Sequence, residues 1–379
     1  MKIIQLFYSD MNERRPVRKG LKNEFGQVCG GTEKVAMEIH ESLLHYGYES
    51  YIVDCKESPY HKEVDNVIQA YGPKSKTAQI NNDLSQLAKQ FDIVINHNSY
   101  SLPKYLNRLG IGYTHIDHLP LTLIVKNKLF YGGFYNEVWS EAKEIGSRFI
   151  TVSEYALQHK NNFDGRLNPE FQLDGWMQFQ YLTEELNSIK VREGGGYGFY
   201  LSRCSPERKM NDCEKMTGDF KIVSTGDPSS ADKFAKKVKD KIIWNISREE
   251  TMSMLANASY FFNPFQQESA GISCFEALCS GVPVVLSERA GKHASKMFAP
   301  EGAWYVCSSE DTDRIEQYKN LTLAERQMIS DEVRSFNPNR AQYTEKVFRE
   351  FAKVTNSTAI TPSLESSKIN ETSLEDFFG

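Results

Sequence analysis

The sequence predicts an α/β protein of two parallel-sheet domains facing a central cleft. Three observations predict it. The 379 residues suffice for two domains of ordinary size. Short apolar runs rich in β-formers alternate with helical stretches in both halves, the rhythm of βαβ units. Between the halves, an irregular stretch from about Asn161 to Gly196 carries Pro169 and the triplet Gly194-Gly195-Gly196.

Each element has its own signature. Lys2 to Tyr8 reads as the first strand, and a polar, basic loop follows it. Gly30-Gly31-Thr32-Glu33 then opens a helix whose apolar positions are Val35, Met37, Ile39 and Leu43-Leu44. Gly47 ends that helix, because glycine tolerates the left-handed conformation after a helix C-terminus. Ser50 to Val53, Asp92 to Asn96, Gly112 to His115 and Phe149 to Ser153 read as further strands. The second half repeats the pattern at Gly198–Leu201, Lys221–Ser224, Lys241–Trp244, Tyr260–Asn263 and Val282–Leu286, with a helix over Glu249–Ala256. Ala341 to Val354 reads as an amphipathic closing helix. Residues 1–180 and 181–335 thus form two Rossmann-like domains, 336–355 the closing helix and 356–379 a polar tail. That tail holds too few apolar residues to offset the entropy of ordering it, so it is expected to be disordered.

Composition narrows the function. The chain is 40% hydrophobic and 25% charged, as in ordinary soluble proteins. No apolar run approaches the ~20 residues of a membrane span, and Met1 to Ser9 is too short for a signal peptide. A cytoplasmic protein without stable membrane association is expected. A net charge of −5 argues against a wholly basic nucleic-acid binder but leaves room for a local basic patch. The seven cysteines are scattered, without CxxC spacing. This fits a reducing compartment and speaks against a disulfide framework or structural zinc.

The strongest chemical signal runs from Glu268 to Glu276 and on through Gly281-Val-Pro-Val-Val. A strand ending near Pro264 delivers Glu268 to the C-terminal edge of a parallel sheet, where open α/β folds bind ligands. Gly271 permits close backbone approach, and Gly271, Ile272 and Ser273 present N–H groups at a helix N-terminus, suited to a diphosphate. Two carboxylates so placed accept hydrogen bonds from sugar and ribose hydroxyls.

This stretch resembles the donor-binding segment of the large retaining glycosyltransferase family that includes sucrose and glycogen synthases. The resemblance implies a GT-B fold and a UDP-sugar donor, with Glu268 contacting the transferred sugar and Glu276 the ribose. Gly198 to Lys209 is similar to the family's strand and loop ending in Arg-x-x-x-x-Lys. Arg203, with either Arg208 or Lys209, is implied to hold the diphosphate. Gly30-Gly31 resembles the family's glycine turn, whose amides face the donor phosphate. Tyr113-Thr-His115-Ile-Asp117-His118 resembles the His-Asp-His stretch of the DNA α-glucosyltransferases of T-even-type bacteriophages, with Ile116 as an extra residue. That implies Asp117 as base for the acceptor hydroxyl and His115 or His118 against the donor sugar. Asp311-Thr312-Asp313 has DxD form, but it lies outside the donor motif. The family uses cationic side chains and helix dipoles in place of a metal, so neither a metal nor another cofactor is expected.

Two features bear on the acceptor. Arg14, Arg15, Arg18, Lys19 and Lys22 cluster in the loop after the first strand, where they suit phosphates. The chain ends in Ser-Leu374-Glu-Asp-Phe377-Phe378-Gly, which resembles the sliding-clamp-docking peptides of T-even-type phage replication proteins. Such a tether concentrates an enzyme at newly made DNA. Together they imply transfer of glucose or arabinose to 5-hydroxymethylcytosine in phage DNA. Two alternatives stand beside this. One is a cell-surface polysaccharide glycosyltransferase, with Leu121–Tyr131 as the nearest candidate for a membrane-facing helix. The other is an inactive clamp- or DNA-binding protein on the same fold.

Overall fold

Parallel strands are buried on both faces, so they are written in apolar residues with little alternation of polarity. Ile93–His97, Thr114–Asp117, Tyr260–Asn263 and Val284–Leu286 are buried at every position. In the computed structural model these strands form the centres of two sheets. The structure describes residues 1–7, 31–54, 67–69, 77–97, 102–118, 124–125, 128–129, 132–152, 173–204, 208–216, 218–225, 227–265, 271–287 and 297–356.

The first half contains β1 (Lys2–Phe7), α1 (Gly31–His45), β2 (Glu49–Asp54), β3 (Val67–Gln69), α2 (Thr77–Ala88), β4 (Ile93–His97), α3 (Leu102–Arg108) and β5 (Thr114–Asp117). There follow β6 (Ile124–Val125), β7 (Lys128–Leu129), α4 (Gly132–Glu144), β8 (Arg148–Thr151) and β9 (Gly175–Trp176). The second half runs α5 (Glu184–Ser188), β10 (Tyr197–Arg203), β11 (Asp219–Thr225), α6 (Ser230–Phe234), β12 (Ile242–Trp244), α7 (Arg248–Ala256) and β13 (Tyr260–Asn263). It continues with α8 (Ile272–Cys279), β14 (Val284–Leu286), β15 (Val306–Ser308), α9 (Thr312–Lys319), α10 (Leu323–Phe336) and α11 (Arg340–Phe351).

The first sheet has the order β3-β2-β1-β4-β5-β8-β9 and the second β12-β11-β10-β13-β14-β15, and every pairing within them is parallel. Strand order therefore reverses beside β1 in one sheet and beside β10 in the other. Ligands of doubly wound sheets bind at the C-terminal edge of such switch points. These edges hold His97 on β4, the end of β10, the end of β13 and the start of α8.

Two differences from the sequence reading concern the first half. Leu121–Tyr131 is not a helix at its described positions: β6 and β7 pair there as a short antiparallel ribbon. The stretch read as irregular contains β9, which adds an edge strand to the first sheet through Ile150↔Gly175, and α5, capped by Thr183. A two-residue strand containing glycine carries no periodicity to read.

Side-chain alternation sorts the first core into two layers. Ile3, Ile93, Ile95, Ile116 and Ile150 face α1 and α11, while Ile4, Leu6, Val94, Tyr113 and Phe149 form the opposite layer with residues of α2, α3 and α4. The second core gathers β10 to β14 with α8, α9 and α10. The chain leaves the first core near Leu182 and returns beside the same point: the Leu182 amide donates to Pro338 O at 3.0 Å, and Gln178 Nε2 donates to Asn337 Oδ1 at 2.8 Å. α11 then closes onto the first half. Phe348 stacks on Tyr48 at 4.3 Å, Tyr343 stacks on Tyr181 at 4.5 Å, and Arg148 pairs with Glu350. No helix among the described residues is long and apolar enough to cross a membrane.

Candidate active site

The second-sheet half of the site is built on α8. Gly271 caps this helix at φ 53°, a left-handed conformation that glycine adopts without Cβ strain. The first N–H groups of a helix have no intrahelical acceptor, so Gly271, Ile272 and Ser273 form a donor-rich end at the sheet edge. Gly281 closes the helix at φ +73°. The Gly281 and Val282 amides donate to Leu278 O and Ala277 O, both at 2.9 Å, the Schellman arrangement. A Cβ on Gly281 would lie 2.5 Å from Arg326 O, which fixes the glycine of the Gly-x-Pro-Val-Val run.

Glu276 is the anomaly of this helix. Cys274, Phe275, Ala277, Leu278 and Cys279 around it are buried and apolar, yet Glu276 is buried too. Arg248, at the start of α7, explains it: its Nη2 donates to Glu276 Oε1 at 2.8 Å. The same guanidinium makes a two-pronged contact with exposed Glu185, from Nε at 3.0 Å and Nη2 at 3.1 Å. The Glu276 side chain is only 4% exposed and that of Arg248 35%, so this is not a surface pair. Burial opposes the Arg248 charge, but Glu276 and Glu185 outweigh it and hold the guanidinium above its ordinary range. The carboxylate is thereby paired and oriented. Sequence reading found Glu276 and missed Arg248, whose only signal is its position just after the capping residue Ser247.

Between Arg208 and Lys209, the structure distinguishes two environments. The Arg208 guanidinium lies over the Phe265 ring, 4.3 Å from its centroid, just beyond the end of β13. Tyr200 Oη donates to Arg208 O at 3.1 Å and fixes the backbone. Lys209 is exposed, in a left-handed conformation at φ 51°. Arg203 ends β10 beside Thr225 of β11. Glu268, Gly30, the basic cluster Arg14, Arg15, Arg18, Lys19 and Lys22, and the terminal Leu374, Phe377 and Phe378 lie outside the described residues.

The first-sheet half is a group of buried imidazoles at the ends of β4 and β5. Alternation splits the predicted His-Asp-His segment. His115 and Asp117 face the α2–α4 layer, and His118, just past β5, faces the α1 layer. His115 lies against Phe149 with ring centroids 5.5 Å apart, and Asn96 Nδ2 is 2.8 Å from its Nδ1. Asp117 is fully buried, and its carbonyl accepts from Thr151 Oγ1 at 3.2 Å. His118 Nε2 is 3.0 Å from Nδ1 of His97, whose Nε2 in turn meets the Gln5 amide at 2.9 Å. Burial lowers the pKa of His97 to about 3, and burial with the neighbouring His97 lowers that of His115 to about 3. Burial, then His97 and His115, hold His118 well below the ordinary value. The three rings are neutral at pH 7. His97 and Gln5 escaped sequence reading because each looks like one polar residue in an apolar strand.

The two halves meet. Glu38 of α1, Gln180, Tyr181, Ile272 and Glu276 surround a cavity of about 10 Å³, room for about one water. Gln180 is buried there, and its amide makes no hydrogen bond among the described residues. Asp311 of the DxD triplet has a structural task instead: its carboxylate accepts from the Arg314 amide at 3.0 Å and caps α9.

Comparison with known proteins accords with this layout. The family model described as "Glycosyl transferases group 1" matches residues 200–318. No curated protein matches. The solved structure of Anabaena HepE with UDP and glucose superposes with a TM-score of 0.64 at 11% identity, covering 92% of this chain and 99% of that one. Sucrose-phosphate synthase from Thermosynechococcus elongatus gives 0.63 at 13%, covering 93% and 98%. An α-glucosyltransferase in complex with UDP and a 13-mer DNA containing an HMU base gives 0.59 at 12%, covering 93% and 99%. The fold is GT-B: two Rossmann-like domains flanking a cleft.

Proposed function

We propose that the protein is a retaining glycosyltransferase that moves a sugar from a UDP-sugar to 5-hydroxymethylcytosine in duplex DNA. The observation that carries the donor half is Glu276, buried on the helix that opens at Gly271 and paired there with Arg248 of α7. UDP bound in the similar HepE and α-glucosyltransferase structures supports the nucleotide.

In this reading residues 1–180 form the acceptor side and residues 181–335 the donor side. The helix over 336–355 closes the molecule, and the tail over 356–379 tethers it. Glu276 accepts from the ribose hydroxyls. The N–H groups of Gly271, Ile272 and Ser273 and the cations Arg203 and Arg208 take up the charge of the diphosphate as it leaves. Arg208, stacked on Phe265, fits this better than exposed Lys209. The amides of Gly30 and Gly31 approach the phosphates from the other side. Glu268 orients the sugar and His118 contacts it. The bond from C1 to the phosphate oxygen breaks, a bond from C1 to the hydroxymethyl oxygen forms, and the hydroxyl proton passes to Asp117. No metal or other cofactor enters this scheme.

The acceptor assignment rests on the basic residues Arg14, Arg15, Arg18, Lys19 and Lys22 and on the likeness to the DNA-bound α-glucosyltransferase. These cations position the phosphate backbone. Leu374, Phe377 and Phe378 dock on a sliding clamp and hold the enzyme at new DNA.

The test offers a panel of UDP-sugars and duplex DNA carrying 5-hydroxymethylcytosine, then weighs the digested nucleosides. A mass gain of one hexose or pentose is expected. An unchanged nucleoside, with UDP released only when glycan or lipid acceptors are supplied, overturns the DNA assignment in favour of a polysaccharide enzyme. No release with any acceptor leaves an inactive binding protein.

A further inference from the structure

The two halves of the molecule touch at the start of α8, and one polar side chain in that contact is out of keeping with its surroundings. Ile272 packs against the first core, although it belongs to the second half. One turn along the helix, Glu276 borders the same contact, together with Glu38 of α1 and with Gln180 and Tyr181 of the segment that leads out of the first half. Gln180 is only 3% exposed, and its neighbours Phe179 and Tyr181 are buried too. Neither its amide oxygen nor its amide nitrogen makes a hydrogen bond among the described residues. Gln178, two positions earlier, shows the contrast, because its Nε2 donates to Asn337 Oδ1 at 2.8 Å. Burying an amide without partners is costly, and folded proteins keep few such groups. The cavity that Gln180 lines is about 10 Å³ in volume, the room of one water and far too little for a sugar ring. A carboxylate accepts and cannot donate, whereas an amide does both. Water is the small ligand that suits this pair: it accepts from an amide nitrogen and donates to a carboxylate.

We propose that the cavity is a binding site for a single internal water, which joins the Gln180 amide to the Glu276 carboxylate, and that Gln180 acts through it as a positioning residue for Glu276. The water accepts from Gln180 Nε2 and donates to a Glu276 oxygen. A carboxylate has about four acceptor sites, so this bond adds to the one from Arg248 and does not compete with it. Glu276 is then held from both halves of the molecule. Arg248 of α7 holds it from its own half, and the water ties it to the segment that ends the other. A bridging water binds nearly as strongly as a direct hydrogen bond. The step from Glu276 to a ribose rests on the glycosyltransferase reading, whereas the water site itself does not.

The test begins with a crystal structure of the full-length protein at a resolution that shows ordered water. A peak within about 3.2 Å of both Gln180 Nε2 and a Glu276 carboxylate oxygen is expected. A dry cavity, a Gln180 amide bonded directly to a protein group, or a peak with the ~2.4 Å contacts of a metal ion overturns the site without any variant. The positioning role is tested by titrating UDP and 2′,3′-dideoxy-UDP, which lacks both ribose hydroxyls, into the parent protein and into Gln180→Met. Methionine takes the room of the amide and releases the water, so the melting temperature is expected to change little. UDP binding is expected to weaken about 5-fold, the worth of one hydrogen bond, while dideoxy-UDP binding stays the same. An equal effect on both nucleotides, or on neither, overturns the positioning role. A water at the site of a parent protein that binds no UDP overturns the glycosyltransferase reading and leaves the water site standing.

Discussion

The two edges of the cleft solve the problem of buried polarity in opposite ways. At the second sheet a full charge is buried and neutralised by another, Glu276 by Arg248. At the first sheet no charge is kept: His97, His115 and His118 are desolvated until they are neutral. The difference matches the chemistry proposed for each side. A nucleoside diphosphate arrives and leaves with its charge, and needs fixed counter-charges and helix amides. A sugar hydroxyl or an attacking alcohol is neutral and needs oriented dipoles. One side is electrostatic, the other directional.

Acid separates the two sides most strongly. An unfolded chain protonates histidine near pH 6.5, whereas the buried rings resist it down to about 3 for His97 and His115. Below pH 6.5 the unfolded chain therefore binds more protons, and stability falls as pH falls. Each buried ring contributes a slope of up to about 1.4 kcal/mol per pH unit. Denaturant midpoints measured between pH 7 and 4 are expected to drop steeply, and His97→Phe to flatten the curve. A curve that His97→Phe leaves unchanged contradicts the neutral cluster.

Arg248→Met attacks the other side. It strands a buried carboxylate and is expected to cost about 3 kcal/mol of stability. Adding Glu276→Leu should restore most of that loss while UDP affinity stays low. Thermal melts and UDP titration of both variants distinguish charge pairing from packing. Gly281→Ala forces a Cβ into the left-handed region and against Arg326 O, and should cost about 2 kcal/mol. It leaves the histidine cluster untouched, so its acid slope should match the parent protein. The smallest effect is expected at Gln180, whose buried amide lacks partners among the described residues. Gln180→Met should be neutral or stabilising by up to about 1 kcal/mol, and a large loss of stability would show that the amide is satisfied in solution.

The same contrast explains what could be read from the sequence. The second-sheet side is written in one contiguous stretch from Asn263 to Leu286, where strand, glycine, helix and strand follow each other with fixed spacing. Its Gly271, Glu276 and Gly281 were visible for that reason. Most central strands were visible because their runs are largely apolar. The first-sheet side is assembled from β1, β4 and β5, with Gln5, His97 and His118 far apart in the chain and adjacent only through the parallel register. His115, Asp117 and His118 looked like one motif, and sheet alternation divided them between two faces. Arg248 was hidden because its partner is on another helix, 28 positions away. The ribbon of β6 and β7, within the nearest candidate for a membrane-facing helix, left no signal because each strand is only two residues long.

The donor site at the second sheet's edge is the central claim, and calorimetric titration of UDP into the full-length protein tests it most directly. The account predicts saturable one-to-one binding, weakened at least ~10-fold by Arg208→Ala through loss of a charge-assisted contact to phosphate. No binding, or equal affinity in the two proteins, would contradict it.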